Sequence, residues 1–188
     1  MDNKKLNFPH TIPIEVFHEN NSTTVEIFLN NELKFGKTFA PKKVHKETVT
    51  FNHLYQSGQR NQIKFVFSGS AEAESKYLKI NSLIINNQLV NIYNANYQPE
   101  LNPEWWESLE EKDKEKYLEI IYGKNGTTFG WYGKIDVEYL TFFDQRSFLQ
   151  KRIARDTNDI EVDEIISKKF DKVFLIQDEN LPWRRAND

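Results

Sequence analysis

Between residues 12 and 92, apolar side chains recur at every second position in short runs rich in Val, Ile, Phe and Thr, and clusters of Asn, Gly, Ser and Lys break the runs. A period of two belongs to strands, whose alternate side chains face opposite sides of a sheet. In Thr24-Val25-Glu26-Ile27-Phe28-Leu29 the residues Val25, Ile27 and Leu29 share a face, and Asn30-Asn31 turns the chain into Glu32-Leu33-Lys34-Phe35-Gly36, a predicted hairpin. Thr48 to Phe51 and Gln62 to Phe67 alternate in the same way across a Ser57-Gly58-Gln59 break, with Ile63, Phe65 and Phe67 on one side. Tyr77 to Ile80, Leu83 to Ile85 and Leu89 to Ile92 complete the set, the last two joined by an Asn86-Asn87-Gln88 turn. Short strands at this spacing, with no helices between them, predict an antiparallel β-sandwich rather than a parallel α/β sheet.

The pattern then changes. Asn102-Pro103-Glu104 reads as a helix start: Asn as N-cap, Pro at the first helical position, and an acid near the positive end of the dipole. Trp105, Trp106, Leu109, Tyr117, Leu118, Ile120 and Ile121 predict one or two amphipathic helices over about 102–122. The run from Glu110 to Lys116 is their solvated side or a break between them, and Gly123 is the expected C-terminal cap. Lys134 to Phe142 alternates again, with Ile135, Val137 and Tyr139 on one face, and brings the chain back to the sandwich. The expected organisation is a β-sandwich domain over 1–143 with a helical excursion, followed by a C-terminal arm over 144–188 with helical segments. In the arm, DQRSFLQKRIAR carries Phe148, Leu149 and Ile153 and little else to bury, and Val173-Phe174-Leu175-Ile176 is either a strand on its own domain or one added to a neighbouring subunit.

Composition narrows the function. The chain has 188 residues, with 38% hydrophobic, 28% charged and 14% aromatic residues, so large units of burial offset a polar sequence. Its 25 basic and 28 acidic residues give a net charge of −3, which argues against the strong basic field of a duplex-DNA binder. The absence of cysteine removes disulfides, thiolate zinc sites and cysteine nucleophiles. No apolar run has signal-peptide or membrane-spanning length, so the expectation is a soluble protein made in the cytosol, with no membrane partner.

Four of the seven glycines fall in GKNGTTFGWYG, residues 123–133. A phosphate loop follows a strand and opens a helix; here a helix precedes and a strand follows, and no Gly-Lys-Ser or Gly-Lys-Thr closes the loop. Gly123 and Asn125-Gly126 read as cap and turn. Trp131 and Tyr132 are either ordinary strand residues, one of them inward, or exposed rings that stack on a sugar or anchor a protein contact.

Residues 48–90, TVTFNHLYQSGQRNQIKFVFSGSAEAESKYLKINSLIINNQLV, resemble the calcium-dependent xylan-binding carbohydrate-binding modules in strand patterning. Ile63, Phe65 and Phe67 match one strand; Leu78, Ile80, Leu83, Ile85 and Asn86 match a later hairpin. The resemblance implies a jelly-roll-type β-sandwich and glycan as a partner. The chain departs where that family holds calcium: Ser68-Gly69 stands for its Asn-Asp and Ser75-Lys76-Tyr77 for its Asp-Arg-Asn. Only Glu72 and Glu74 are left as candidate ligands, so the fold carries over and the site does not. More loosely, the sandwich, the glycine turn, the aromatic strand and the extension resemble modules of structural proteins in tailed bacteriophage particles.

Nothing assembles an enzyme. His10, His18, His45 and His53 lack metal-site spacing and read as surface residues, no G-x-S-x-G elbow occurs, and the carboxylate pairs Glu110-Glu111 and Asp163-Glu164 sit in solvated charged runs. The expected function is therefore a non-catalytic structural or adaptor component of a larger assembly, namely a bacteriophage virion. Its contacts with other subunits, copies of itself included, would run through Trp105, Trp106, Trp131, Tyr132 and Trp183. The alternative is a glycan-binding module.

Overall fold

The computed structural model describes residues 5–70, 75–90, 92, 95–122, 127–142 and 174–176. It is an antiparallel β-sandwich. The first sheet holds β1 (Lys5–His18), β4 (His45–Gln56), β6 (Lys76–Ile80), β7 (Leu83–Ile85), β8 (Gln88–Val90) and β10 (Thr128–Phe129). The second holds β2 (Thr23–Leu29), β3 (Glu32–Phe39), β5 (Gln59–Gly69), β9 (Asn96–Pro99), β11 (Gly133–Phe142) and β12 (Phe174–Ile176). Two helices, α1 (Pro103–Ser108) and α2 (Glu111–Tyr122), lie between β9 and β10.

Alternation decides which residues enter the core. In β2 the inward set is Thr23, Val25, Ile27 and Leu29, and β5 sets Phe67, Phe65 and Ile63 opposite the last three in register. In β1 the inward set is Phe8, His10, Ile12, Ile14, Val16 and His18, with Ile14 opposite Ile80 and Val16 opposite Leu78. β6 and β7 run one after the other antiparallel to β1, and the register slips by one residue between them, from Ile14 opposite Ile80 to His10 opposite Ile85. Such a slip keeps both short strands inward-facing only because the extra residue is absorbed at the Asn81-Ser82 break, where the Asn81 amide donates to the Pro13 carbonyl at 2.9 Å. On the outer face, Glu15 of β1 lies 3.8 Å from Lys46 of β4 and 3.6 Å from Lys79 of β6.

Both tight hairpins use paired asparagines with positive φ: 51° and 66° at Asn30 and Asn31, 49° and 60° at Asn86 and Asn87. Asparagine tolerates this left-handed backbone better than other non-glycine residues, and the twist of such turns matches that of the strands they join. The chain passes from the second sheet to the first between β3 and β4. There Lys42 has φ 71° and donates its amide to the His18 carbonyl at 2.8 Å, and Lys37 pairs with Glu47.

By contact the chain divides into two units. One is drawn from Met1–Phe8, Asn52–Asn61 and Glu138–Asp188, the other from Pro9–Phe51 and Gln62–Val137. The larger unit holds the aliphatic core just described. The smaller centres on aromatic and polar groups: Phe8 stacks on Tyr55 at 5.4 Å, His53 meets Tyr55 edge-on at 4.9 Å, and the Tyr55 and Tyr139 hydroxyls share a hydrogen bond. Asn61 donates to the Thr141 hydroxyl, and the Gly58 amide, in a turn with φ 77°, donates to the Thr141 carbonyl. Burial pushes the Tyr55 and Tyr139 phenols well above the ordinary value of 10.0.

Several expectations change. The first strand begins at Lys5, seven residues before the periodic pattern, and runs through Pro9 and Pro13; neither has an amide to donate, and their carbonyls accept the amides of Asn86 and Asn81, just past the ends of β7 and β6. β9 and β10 are too short to show a period. Of the one or two helices expected, the structure has two, broken at Leu109-Glu110, and the cap expected at Gly123 lies outside the described residues. Two histidines read as surface residues are buried. His10 has no exposure and stacks on Phe51 at 4.4 Å; His18 is 2% exposed, and its Nδ1 accepts the Asn20 and Asn21 amides at 3.2 and 2.9 Å, closing the turn after β1.

Tyr55, Tyr97 and Tyr139 all have phenol pKa values raised above 10.0 by burial. A raised folded-state pKa means that the native state holds a proton the unfolded chain has lost, so stability is complete below pH 10 and falls above it. A spectrophotometric alkaline titration should show these three phenols ionising together with unfolding, after the exposed tyrosines. Tyr139→Phe should destabilise at neutral pH by about 1 kcal/mol through the lost hydrogen bond and weaken the alkaline decline.

Candidate functional site

The geometry at the end of the glycine-rich stretch starts from Tyr132. The chain bends at Trp131 and Tyr132, just before β11; Tyr132 points in, 4% exposed, while Trp131 stays half-exposed. The Tyr132 ring sits between the sheets of the larger unit. It stacks on His18 at 6.0 Å and meets Phe67 edge-on at 4.8 Å, its hydroxyl lies 2.8 Å from the Thr23 hydroxyl, and the Lys76 ammonium lies 5.1 Å from its centroid. Two glycines make room. A Cβ on Gly69 would fall 2.2 Å from the Tyr132 hydroxyl, and one on Gly133, at φ 151°, would fall 2.2 Å from the Gln98 carbonyl. Gly130, by contrast, faces open space.

Trp131 is held by its backbone. The Tyr97 hydroxyl donates to the Trp131 carbonyl at 2.7 Å and accepts the Trp131 amide at 3.1 Å, while the Tyr97 ring packs edge-on against Phe129 at 5.0 Å. Burial pushes the Tyr97 phenol up, which keeps its donor proton in place. The Trp131 ring then meets Tyr117 of α2 edge-on at 6.0 Å. Tyr117 in turn meets Trp105 of α1 at 5.2 Å and 69°, and Trp105 lies 6.2 Å from Trp106 at 55°.

A six-residue helix such as α1 does not persist alone in water. Its start is secured by Asn102, whose side-chain oxygen accepts the Glu104 and Trp105 amides at 2.9 and 3.2 Å, with Pro103 at the first position, and Ser108 Oγ donates back to the Trp105 carbonyl at 2.7 Å. No residue of α1 is buried, and the Trp105 ring packs against Tyr117 of α2.

Of the residues expected at a contact site, Trp105, Trp106 and Trp131 therefore converge on one half-exposed aromatic cluster, joined by Tyr117, which had been read only as a helix residue. Tyr132 goes to the core instead. Trp183, Glu72 and Glu74 lie outside the described residues, and with Glu72 and Glu74 goes the calcium expectation. Among the described residues no group of three or more His, Asp or Glu side chains could hold a metal ion, and no helix is long and apolar enough to cross a membrane. The cluster is bordered by acids. Glu100, Glu104, Glu107, Glu110 and Glu111 are all exposed, and residues 100–111 contain no lysine or arginine.

No protein-family model matches the chain, and no curated protein matches its sequence. A solved structure, vCBM60 in complex with galactobiose, aligns with a TM-score of 0.39 at 12% identity, over 68% of this chain and 95% of the other.

Gly69→Ala should destabilise the fold by roughly 1–3 kcal/mol, as overpacking does, and Tyr132→Ala by about 3–5 kcal/mol, as loss of a buried aromatic does. Tyr132→Phe, which keeps the ring and loses the hydroxyl bonded to Thr23, should lose about 1 kcal/mol. Combining Gly69→Ala with Tyr132→Phe should be only slightly less damaging than the sum, because the added Cβ would still lie 2.5 Å from Tyr132 Cζ once the hydroxyl is gone. Denaturant unfolding of the four variants checks the order; equal effects of the two tyrosine changes would remove Tyr132 from the centre of the packing.

Proposed function

We propose that this protein is a non-catalytic β-sandwich that serves as a structural or adaptor component of a larger assembly, meeting a protein partner through Trp105, Trp106, Tyr117 and Trp131. The observation that carries this is where the tryptophans are. All the described ones sit in one half-exposed cluster, and none is among the buried core residues. Tryptophan and tyrosine supply the largest contact energies at protein interfaces, and a surface group of them held in fixed geometry is what such contacts use.

The ring planes favour protein over glycan as the partner. Successive rings are tilted by 55°, 69° and 82°, so the cluster offers edges and notches rather than one flat platform. A sugar ring stacks on an open aromatic face, whereas notches between tilted rings receive branched or long side chains. Glycan binding is the second reading, which the indoles support in kind though not in arrangement. The reading extends to an assembly component in general, and a virion is one such setting.

Hydroxyl-radical footprinting separates these readings. In native extract the three indoles should be protected relative to the purified chain, and oligosaccharides added to the purified chain should leave them reactive. Full reactivity in extract overturns the assembly reading, and protection by a soluble oligosaccharide moves the function to glycan binding. Trp105→Ala with Trp131→Ala should abolish the protection of Trp106 while shifting the thermal midpoint by only a few degrees.

A further inference from the structure

We propose that the acid-bordered aromatic cluster on α1 and α2 receives the basic segment 145–155 of a second copy of this chain. The inference rests on reading the cluster as a protein contact surface, and it adds the occupant. Residues 100–111 carry five glutamates and no basic residue. Glu111 pairs with Lys114 at 3.1 Å, and none of Glu100, Glu104, Glu107 and Glu110 takes part in an ion pair among the described residues. A partner must therefore bring positive charge next to apolar side chains.

Residues 33–46 are also basic and free of acids, but their cations are lysines and one histidine; the stretch richest in arginine is 145–155, with three of the chain's six. QRSFLQKRIAR, residues 145–155, holds Arg146, Lys151, Arg152 and Arg155 with no acid, together with Phe148, Leu149 and Ile153. Arginine suits this role because its planar cation lies against indole and phenol faces and also pairs with carboxylates in fork geometry. The stretch belongs to residues 143–173, which connect Phe142 of β11 to Phe174 of β12, two residues that lie opposite each other in the second sheet. Patch and segment are thus both present on every copy, which permits a head-to-tail contact in which each copy gives a segment and receives one.

Charge reversal in two separate preparations tests this. The first carries Glu104→Lys, Glu107→Lys and Glu110→Lys; the second carries Arg146→Glu, Lys151→Glu, Arg152→Glu and Arg155→Glu. By light scattering across concentration, the wild-type chain should self-associate, and raising the salt from low to about 0.5 M should weaken that association. Each reversed chain alone should associate at least roughly tenfold more weakly, since both its surfaces then carry one sign. An equimolar mixture should recover association, because the reversed patch of one chain then meets the reversed segment of the other. Circular dichroism of each preparation should match wild type, as all the changed glutamates are exposed.

A wild-type chain that is monomeric at all concentrations, reversed chains that associate as wild type does, or a mixture that stays monomeric overturns the proposal. So does a monomer whose segment cross-links to its own glutamates. If the charge reversals have no effect while the indoles remain protected in extract, the cluster is still a contact surface and its occupant is another protein.

Discussion

The placement of Tyr132 between the two sheets of the larger unit fixes the surface as well as the core. Its ring touches His18 of the first sheet and Phe67 of the second, and its hydroxyl reaches Thr23. The chain bends at these two residues, and there the tyrosine is committed inward while the preceding tryptophan stays half-exposed. The two glycines that admit this arrangement do different work. Gly69 gives the hydroxyl its space, whereas Gly133 lets the backbone pass against the Gln98 carbonyl as β11 pairs with β9. Moving the tyrosine would therefore move Trp131, and with it the contact to Tyr117.

Polar groups inside the fold act as further constraints. Burying a hydroxyl or an imidazole costs free energy unless a hydrogen bond replaces the lost water, and a partner has to be in one place to supply it. Tyr55 with Tyr139, Asn61 with Thr141, and His18 with the Asn20 and Asn21 amides each join segments distant in sequence or close a turn. Aliphatic packing alone tolerates small shifts in register; these pairs do not. The Tyr97 hydroxyl extends the same principle to the surface, since it clamps both backbone groups of the residue whose ring joins the cluster.

Sequence periodicity revealed those parts of the fold in which one side of a strand is buried over several residues. β2, β5 and β11 were legible because Val25, Ile27 and Leu29, then Ile63, Phe65 and Phe67, then Ile135, Val137 and Tyr139 fall in step. The helix start at Asn102 was legible because capping is local chemistry. The strand through Pro9 and Pro13 was not, since its evidence lies in which carbonyls its neighbours use. The buried histidines escaped for a related reason: polarity places a residue outside by default, and only a partner found in three dimensions reverses that. For the site, residue type named three of the cluster's members, Trp105, Trp106 and Trp131. The choice between Trp131 and Tyr132, and the linking role of Tyr117, depended on the glycine clearances and on helix packing, which no linear pattern encodes.

The cluster also shows how a surface can be ready to bind before a partner arrives. Ordering a large side chain at an interface consumes part of the contact energy, and rings already fixed by their neighbours avoid most of that loss. Here Trp131 is fixed through Tyr97, Tyr117 is wedged between Trp131 and Trp105, and Trp105 stands on a short helix whose first turn is capped by Asn102. The rings are thus held by neighbours and still half-exposed, and burying them further requires atoms that the described part of the chain does not place there.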